Sequence, residues 1–317
     1  MPYQIVITDS SFSTESPENE IFGREGYELV RLQCCDEKEL QVRLRPADAV
    51  LVQMAPITAP VIEAMRNCKI IVRYGDNVDN IDIYAARSRG IPVCNVPDYC
   101  IHEVADHTIA LALAALRQIP ETDRRVRQYG WQATLPRSVG TFSELNFCLA
   151  GFGRIAREVA RRARALGFTV MACDPFVSPE VMAAFDVVSL PLDDLLRIAD
   201  VLSLHCPVNA ETNKMIRQDR ISLMKPGAVL VNTAQGDLVE AEDLSNALRQ
   251  GRLWAAAVDV FDTEPLPLHH SLRQAPNTIL SSHVAWYSRE STPLLQRKAA
   301  QEAVRALKGI RLLNRVI

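Results

Sequence analysis

The sequence predicts an α/β protein made of two doubly wound parallel sheets, and three observations predict it. Short, almost wholly apolar runs alternate with helical patterns along most of the chain, as buried parallel strands and their crossovers require. The chain has 317 residues, enough for two domains at roughly 150 residues each. Near the middle, a glycine-rich turn (Gly151-Phe152-Gly153-Arg154-Ile155-Ala156) joins an apolar run to a helical pattern.

In the first hundred residues the strand candidates are 5–7, 49–52, 70–72 and 91–93. Asp9 opens a polar loop expected to run through Glu20, and 59–67 and 81–88 read as helices. A long helix over 103–117 carries Val104, Ile109, Ala112, Leu113 and Leu116 at helical spacing. It is rich in small and apolar residues, as burial between domains or in a dimer interface would require. The Arg-rich stretch 118–143, with Gly130 and Pro136, reads as an irregular or helical excursion. The second α/β region then supplies strands at 146–150, 170–173, 187–188, 201–204, 229–231, 255–258 and 278–280. Helices at 154–166 and 241–249 lie between them, and one helical pattern with a tail closes the chain from about 290.

Bulk properties narrow the function. Hydrophobic residues make up 48% and charged residues 23%, an ordinary globular balance. The net charge of -3 argues against a broad nucleic-acid surface, so no direct nucleic-acid partner is expected. No apolar run nears the roughly 20 residues of a membrane helix, so no membrane partner is expected either. The start, Met1-Pro2-Tyr3-Gln4-Ile5-Val6-Ile7, lacks a secretory pattern. Eight scattered cysteines without a C-x-x-C pair read as free thiols in a reducing cytoplasm.

The glycine turn is a G-x-G-x-x-A sequence between strand and helix. Gly151 permits the tight turn, Gly153 admits a pyrophosphate close to the backbone, and small Ala156 lets the helix approach the strand. The helix N-terminus, with Phe152, Arg154 and Ile155 around it, offers N–H groups to phosphates. Asp174 ends the next strand about 20 residues on, where a carboxylate meets the ribose hydroxyls and repels a 2′-phosphate. The expected cofactor is therefore NAD. Arg154 is a second phosphate contact, whereas Arg157, Arg161 and Arg164 read as a solvated face.

Three further segments follow strands and so point to the same sheet edge. They are Asn232-Thr233-Ala234-Gln235-Gly236, Asp259 to Pro265 with Glu264, and Ser281-Ser282-His283-Val284-Ala285-Trp286-Tyr287. With Arg73-Tyr74-Gly75, Asp79-Asn80-Ile81-Asp82, Asn95-Val96-Pro97, Val104-Ala105-Asp106 and Leu204-His205-Cys206-Pro207, the chain resembles the D-isomer-specific 2-hydroxyacid dehydrogenases over nearly its whole length. The run at 283–288 and Cys94-Asn95-Val96-Pro97 look most like the C-terminal-binding proteins, corepressors that keep this fold.

The resemblance implies hydride transfer between nicotinamide and C2 of a 2-keto or 2-hydroxy acid. His283 would be the acid–base group, with an intrinsic acidity suited to neutral pH. Glu264 would hold its other ring nitrogen and favour the proton-loaded form. Asp259 would hold the nicotinamide carboxamide, while His205, Cys206, Pro207, Thr212, Thr233 and Ala234 would line the cofactor. The backbone around Tyr74, Gly75 and Asp76, helped by Arg73, would receive the substrate carboxylate, and Trp286 its side chain. His102 and His107 mimic part of a zinc motif but stand five apart, off a shared helix face, so no metal is expected. His269 and His270 read as an exposed loop.

One departure matters. The family carries arginine where this chain has Gln235, which keeps a donor but loses the charge and the two-pronged grip. In a closed site that loss is worth about 2–4 kcal/mol of transition-state binding. Asn77 replaces a usual glycine, a milder change because Asn tolerates positive φ. Three explanations for Gln235 compete: another cation such as Arg73 replaces the charge, the substrate lacks the group the arginine holds, or catalysis is vestigial and NAD(H) binding serves a corepressor-like sensor.

The expected architecture is therefore two Rossmann-like domains with an interdomain cleft. Residues 1–98 plus 289–317 would form the substrate domain and 99–288 the NAD domain, closing by a hinge near 98–101 and 286–290. A homodimer is expected from the apolar helix and the Arg-rich excursion.

Overall fold

A parallel strand has no solvent face, so its side chains must be apolar on both sides. The inner strands of this chain largely obey that rule, and all the strands sort into two sheets. The computed structural model describes residues 2–14, 16–131, 133–135 and 137–317. Readings that touch Met1, Glu15, Gln132 or Pro136 lie outside the described residues at those positions. Two compact units result: Met1–Cys100 with Tyr287–Ile317, and Ile101–Trp286.

The first unit carries β1 (Gln4–Ile7), α1 (Ser16–Arg24), β2 (Glu28–Arg31), α2 (Glu37–Arg43), β3 (Ala49–Val52), α3 (Ala59–Ala64), β4 (Ile71–Arg73), α4 (Ile83–Ser88) and β5 (Val93–Cys94). Its sheet runs β2-β1-β3-β4-β5, all parallel. All four residues of β3 are buried. Asp36 and Asp82 start α2 and α4 by accepting the N–H of Glu39 and Ala85, each at 2.9 Å. One face of the sheet packs on Leu40, Val61, Ile62 and Ala86 from α2, α3 and α4. The other packs on Phe22 of α1 and on Leu295, Ala299 and Ala303 of the closing helix Ser291–Leu307.

The second unit carries α5 (Ile101–Leu116), α6 (Ile119–Tyr129), β6 (Asn146–Ala150), α7 (Arg154–Ala165), β7 (Thr169–Cys173), α8 (Pro179–Ala183), β8 (Val188–Ser189), α9 (Leu192–Ile198), β9 (Val201–Leu204), α10 (Gln218–Ile221), β10 (Ala228–Asn232), α11 (Ala241–Arg249), β11 (Leu253–Val258) and β12 (Thr278–Leu280). The helix Ser291–Leu307 of the first unit is α12. The second sheet runs β12-β11-β10-β9-β6-β7-β8, again all parallel. The strand order reverses at β6, which places the loops after β6 and β9 at a topological switch point. Ala156, Val159, Ala160 and Ala163 of α7 bury one face of that helix against the sheet beside Ala105, Ala112 and Leu116 of α5. Among the described residues, no helix is long and apolar enough to cross a membrane.

Several expectations need correction. The segment expected as a polar loop through Glu20 contains α1, because its inward residues include Glu18, a carboxylate that hydrophobic periodicity cannot register. Glu18 is buried and accepts hydrogen bonds from Tyr74 Oη at 2.8 Å and Gln296 Nε2 at 2.9 Å. β2 and α2 were not foreseen: β2 is a half-exposed edge strand and α2 buries one leucine. α3 stops at Ala64 rather than 67, since Met65 turns to extended backbone and drops into the core. Asn77 does not adopt positive φ; the left-handed residue of that turn is Gly75, at φ 116°.

Candidate active site

The glycine turn is built by close packing. Gly151 follows β6 with φ 98°, and its N–H donates to Cys173 O at 2.8 Å. A Cβ added there would lie 2.6 Å from His205 O, so the arriving chain after β9 forbids any side chain. Gly153 differs: a Cβ would meet nothing within 4 Å. The space before the α7 N-terminus is open, as a pyrophosphate held by N–H groups requires. Phe152 contributes backbone alone, since its ring is fully buried edge-on to Phe185. Ile155 packs on the core, and Arg154 is exposed.

Asp174 ties this turn together. Its Oδ2 accepts Phe152 N–H and its Oδ1 accepts Phe176 N–H, both at 2.8 Å. Each oxygen keeps a lone pair for a ribose hydroxyl. Of the helix arginines, Arg161 and Arg164 lie exposed, as a solvated face requires, while Arg157 is half-buried. Arg157 lies over the rings of Phe152 and Phe185, Arg161 pairs with Glu158, and Arg164 pairs with Asp186.

The loop after β9 is equally committed. His205 bonds Ser203 Oγ through Nε2 at 2.8 Å, and burial pushes its imidazole down to about 3, so it is neutral at physiological pH. Cys206 lies against Met215, with its thiol pushed up to about 11 by burial. Thr212 staples its loop by donating to Pro207 O at 2.6 Å and accepting Asn209 N–H at 2.8 Å. These side chains shape a dinucleotide site more than they project into it.

β10, β11 and β12 are neighbours, so the segments carrying Gln235, Glu264 and His283 emerge together. His283 takes φ 55°, a left-handed conformation rare for a non-glycine residue and concentrated at functional sites. Its Nδ1 lies 2.7 Å from Glu264 Oε2, while Glu264 Oε1 accepts Phe261 N–H at 2.9 Å. With an ionised carboxylate at Nδ1, that nitrogen carries the hydrogen and Nε2 is the atom that exchanges a proton. The imidazole is about half exposed, open to a substrate. Trp286 Nε1 donates to His283 O at 2.8 Å and braces the turn.

Asp259 holds that turn in place. It is fully buried, and its carboxylate accepts Ser281 Oγ–H at 2.5 Å, Val284 N–H at 3.1 Å and Ala285 N–H at 2.9 Å. Its carbonyl accepts His283 N–H at 2.8 Å. His107 of α5, set aside in the sequence as a false zinc ligand, reaches Ser281 Oγ at 3.1 Å and Asp259 Oδ1 at 3.7 Å. Among the described residues no cluster could hold a metal. Thr233 Oγ1 meets Thr108 Oγ1 at 2.7 Å and thereby anchors its segment to α5.

Gln235 sits on a segment shaped by Gly236 and Asn232. A Cβ on Gly236 would fall 1.9 Å from the Phe261 carbonyl carbon, so only glycine lets this chain lie on the loop leading to Glu264. Asn232 donates to Gln235 O at 2.8 Å and accepts Ala234 N–H at 3.1 Å. His270 is not exposed, as the sequence suggested: its side chain is 9% exposed, bonded to Asp262 Oδ1 at 3.0 Å and edge-on to Phe261. Sequence reasoning gave no role to His107, Ser281, Asn232 or His270. The one available signal was that Asn232 and Ser281 stand next to strand ends.

In the first unit, Arg73 closes β4. Its Nη1 donates to Tyr74 O, it lies over Gly75, and its Nε is buried without a partner. Burial lowers the guanidinium pKa, opposed by Tyr99, Asp79, Asp76 and Asp9. Tyr74 cannot donate to a substrate as expected, because its N–H is spent on Val52 O at 2.8 Å and its hydroxyl on Glu18. Gly75 O accepts Val96 N–H at 2.8 Å, and Asp76 O accepts Asn95 Nδ2 at 2.5 Å, which ties this loop to the end of β5.

Comparison with known proteins agrees with this geometry. Residues 109–285 match the family described as D-isomer specific 2-hydroxyacid dehydrogenase, NAD binding domain. A D-3-phosphoglycerate dehydrogenase of Mycobacterium tuberculosis is 36% identical over 275 residues, covering 86% of this chain and 52% of that protein. The chain thus spans about half the length of the curated relatives it matches. The TT0316 protein from Thermus thermophilus has a TM-score of 0.88 at 32% identity, covering 99% of this chain and all of that one. A D-lactate dehydrogenase from Aquifex aeolicus, solved with NAD and lactic acid, has a TM-score of 0.86 at 26% identity, with 96% of each chain covered. With its glycine turn, Asp174 and the His283–Glu264 pair on a fold that these proteins share, the chain belongs to the D-isomer specific 2-hydroxyacid dehydrogenase family and carries that family's NAD-binding domain.

Proposed function

We propose that this chain is an NAD-dependent oxidoreductase acting on a 2-keto or 2-hydroxy acid, with Gln235 tuning it to an unusual substrate or a slower reaction. The observation that carries this reading is the 2.7 Å contact between His283 Nδ1 and Glu264, on a turn held left-handed by Asp259. A site that only sensed cofactor would have no use for an oriented, half-exposed imidazole. That is why we favour an enzyme over a sensor like the corepressor branch of C-terminal-binding proteins.

The turn at Gly151 and Gly153 and the Asp174 carboxylate would hold NADH, which would supply the hydride that reduces C2. His283 Nε2 donates a proton to the carbonyl oxygen and ends neutral, with Glu264 fixing the ring while the charge changes. Gln235 offers the same oxygen an uncharged N–H. Trp286 receives the substrate side chain. Residues 1–98 with 289–317 serve as the substrate domain and 99–288 as the NAD domain. The eight cysteines are all free, which supports a reducing cytoplasm. A homodimer is proposed through α6, which buries none of its residues and exposes Ile119, Val126 and Tyr129; sedimentation with NADH at micromolar concentration should give twice the chain mass.

The test is NADH oxidation against a panel of 2-keto acids. Turnover is expected in the wild type, lost in His283→Ala and raised about tenfold or more by Gln235→Arg with simple 2-keto acids. NADH binding without turnover in the wild type and in Gln235→Arg would overturn the enzyme reading.

A further inference from the structure

Three uncommon features of the second unit serve to place one side chain, that of Arg137. Gln118, at the junction of α5 and α6, is 3% exposed yet takes φ 55°, a conformation that costs a non-glycine residue about 1 kcal/mol or more. Its side-chain amide grips the Arg137 backbone on both sides. Nε2 donates to Arg137 O at 2.7 Å, and Oε1 accepts Arg137 N–H at 3.2 Å. Gly227, at φ 78°, has no room for a Cβ, because the Arg137 guanidinium lies where that carbon would go. The guanidinium in turn lies over Trp254, 5.4 Å from the ring centre, and its Nη1 donates to Gly227 O.

Arg137 lines a pocket with about 430 Å³ of empty space, part of it open to solvent. Leu116, Val139, Leu145, Val229 and Trp254 form apolar walls, and Asp200 is the acidic lining residue. The charges there do not cancel. Lys225 Nζ donates to both Asp200 oxygens, at 3.0 and 2.9 Å, and Asn146 N–H donates to Oδ2 at 2.9 Å. Among the described residues no carboxylate is hydrogen-bonded to Arg137, and its Nε and Nη2 donate to none of them. Burial lowers the guanidinium pKa, opposed by Asp200. Two cations and one carboxylate leave the pocket with a single positive charge, on a group partly removed from water. A bond to the Gly227 carbonyl needs no charge, since a neutral amide makes the same bond, as Gln118 does to Arg137. A charged fork beside apolar walls is instead the partner of a carboxylate.

The pocket lies where β9, β10 and β11 begin and where the chain enters β6, as Asp200, Ala228, Trp254 and Leu145 mark. The glycine turn, Gln235 and His283 follow the other ends of these parallel strands. β10 is five residues long, so the two edges stand about 15 Å apart. We propose that this pocket is a second ligand site, for a small organic monocarboxylate whose carboxylate meets Arg137 and whose apolar body meets the walls. One anionic group matches one uncompensated charge; inorganic phosphate would bring a second charge and no apolar surface. The site stands apart from the cofactor edge and does not depend on the dehydrogenase reading.

The experiment is calorimetric titration of the full chain, saturated with NADH, with benzoate and with its uncharged counterpart benzamide. Benzoate should bind at least about tenfold more tightly than benzamide, and its affinity should fall at least about tenfold in Arg137→Gln, whose NADH affinity certifies the fold. A second measurement uses wild type labelled with 5-fluorotryptophan, which needs no variant at Arg137. Benzoate should shift the fluorine resonance of Trp254, assigned through Trp254→Phe, and leave that of Trp286 in place. Absence of benzoate binding, equal affinity for benzamide, an affinity unmoved in folded Arg137→Gln, or a benzoate shift that spares Trp254 each overturns the proposal.

Discussion

Replacing Asp259 with alanine should unlock the turn that carries His283. The carboxylate accepts hydrogen bonds from Ser281 Oγ, Val284 N and Ala285 N in a site with no solvent exposure. Hydrogen bonds to a charged acceptor are worth about 1.5 kcal/mol each at the low end, and the Ala285 N–H would be left buried and unpaired. Letting His283 relax from its left-handed conformation returns about 1 kcal/mol. The expected net loss is about 3–4 kcal/mol. Asp259→Asn keeps one acceptor oxygen and should lose about half as much. The assay is urea unfolding followed by tryptophan fluorescence, which reports on the second unit alone because Trp131, Trp254 and Trp286 all belong to it. Turnover should fall further in Asp259→Ala than the folded fraction accounts for, since His283 loses its orientation. A loss below about 1 kcal/mol with turnover intact would refute the claim that Asp259 holds the turn.

Three further outcomes follow from the geometry. His205 has a folded-state acidity near 3 against an ordinary 6.5, so the unfolded chain binds the proton more readily. Its contribution to stability is complete above about 6.5 and is lost as pH falls toward 3. Urea midpoints at pH 7 and pH 5 should therefore differ in the wild type and differ less in His205→Gln; equal differences would exclude burial of a neutral His205 as the cause. Gly151→Ala should misfold the glycine turn, because its Cβ would strike His205 O at φ 98°. Gly153→Ala should fold normally, because its Cβ has open space, yet weaken NADH binding at least tenfold in a fluorescence titration. Unchanged NADH affinity in Gly153→Ala would move the pyrophosphate away from this turn.

Much of the chemistry was legible in the sequence because it is written locally. Near-continuous apolar runs identified β3, β6, β9 and β10, since strands buried on both faces have no polar side to confuse the pattern. The glycine turn with Asp174, and the sheet edge shared by Gln235, Glu264 and His283, needed only strand ends and spacing. Elements that bury polar groups were harder to read. α1 turns Glu18 inward, so its periodicity looked like a loop.

The sequence by itself determined which strands run parallel through the cores and which residues their ends carry. The tertiary structure decided what those residues touch. His107 meets Ser281 across 174 positions, Gly236 must be glycine because the Phe261 backbone crosses it, and Tyr74 spends its N–H on a neighbouring strand. Apolar burial is a property of one residue and its period, and so it is visible along the chain. A hydrogen bond or a close backbone approach belongs to two distant segments, and only the folded topology brings them together.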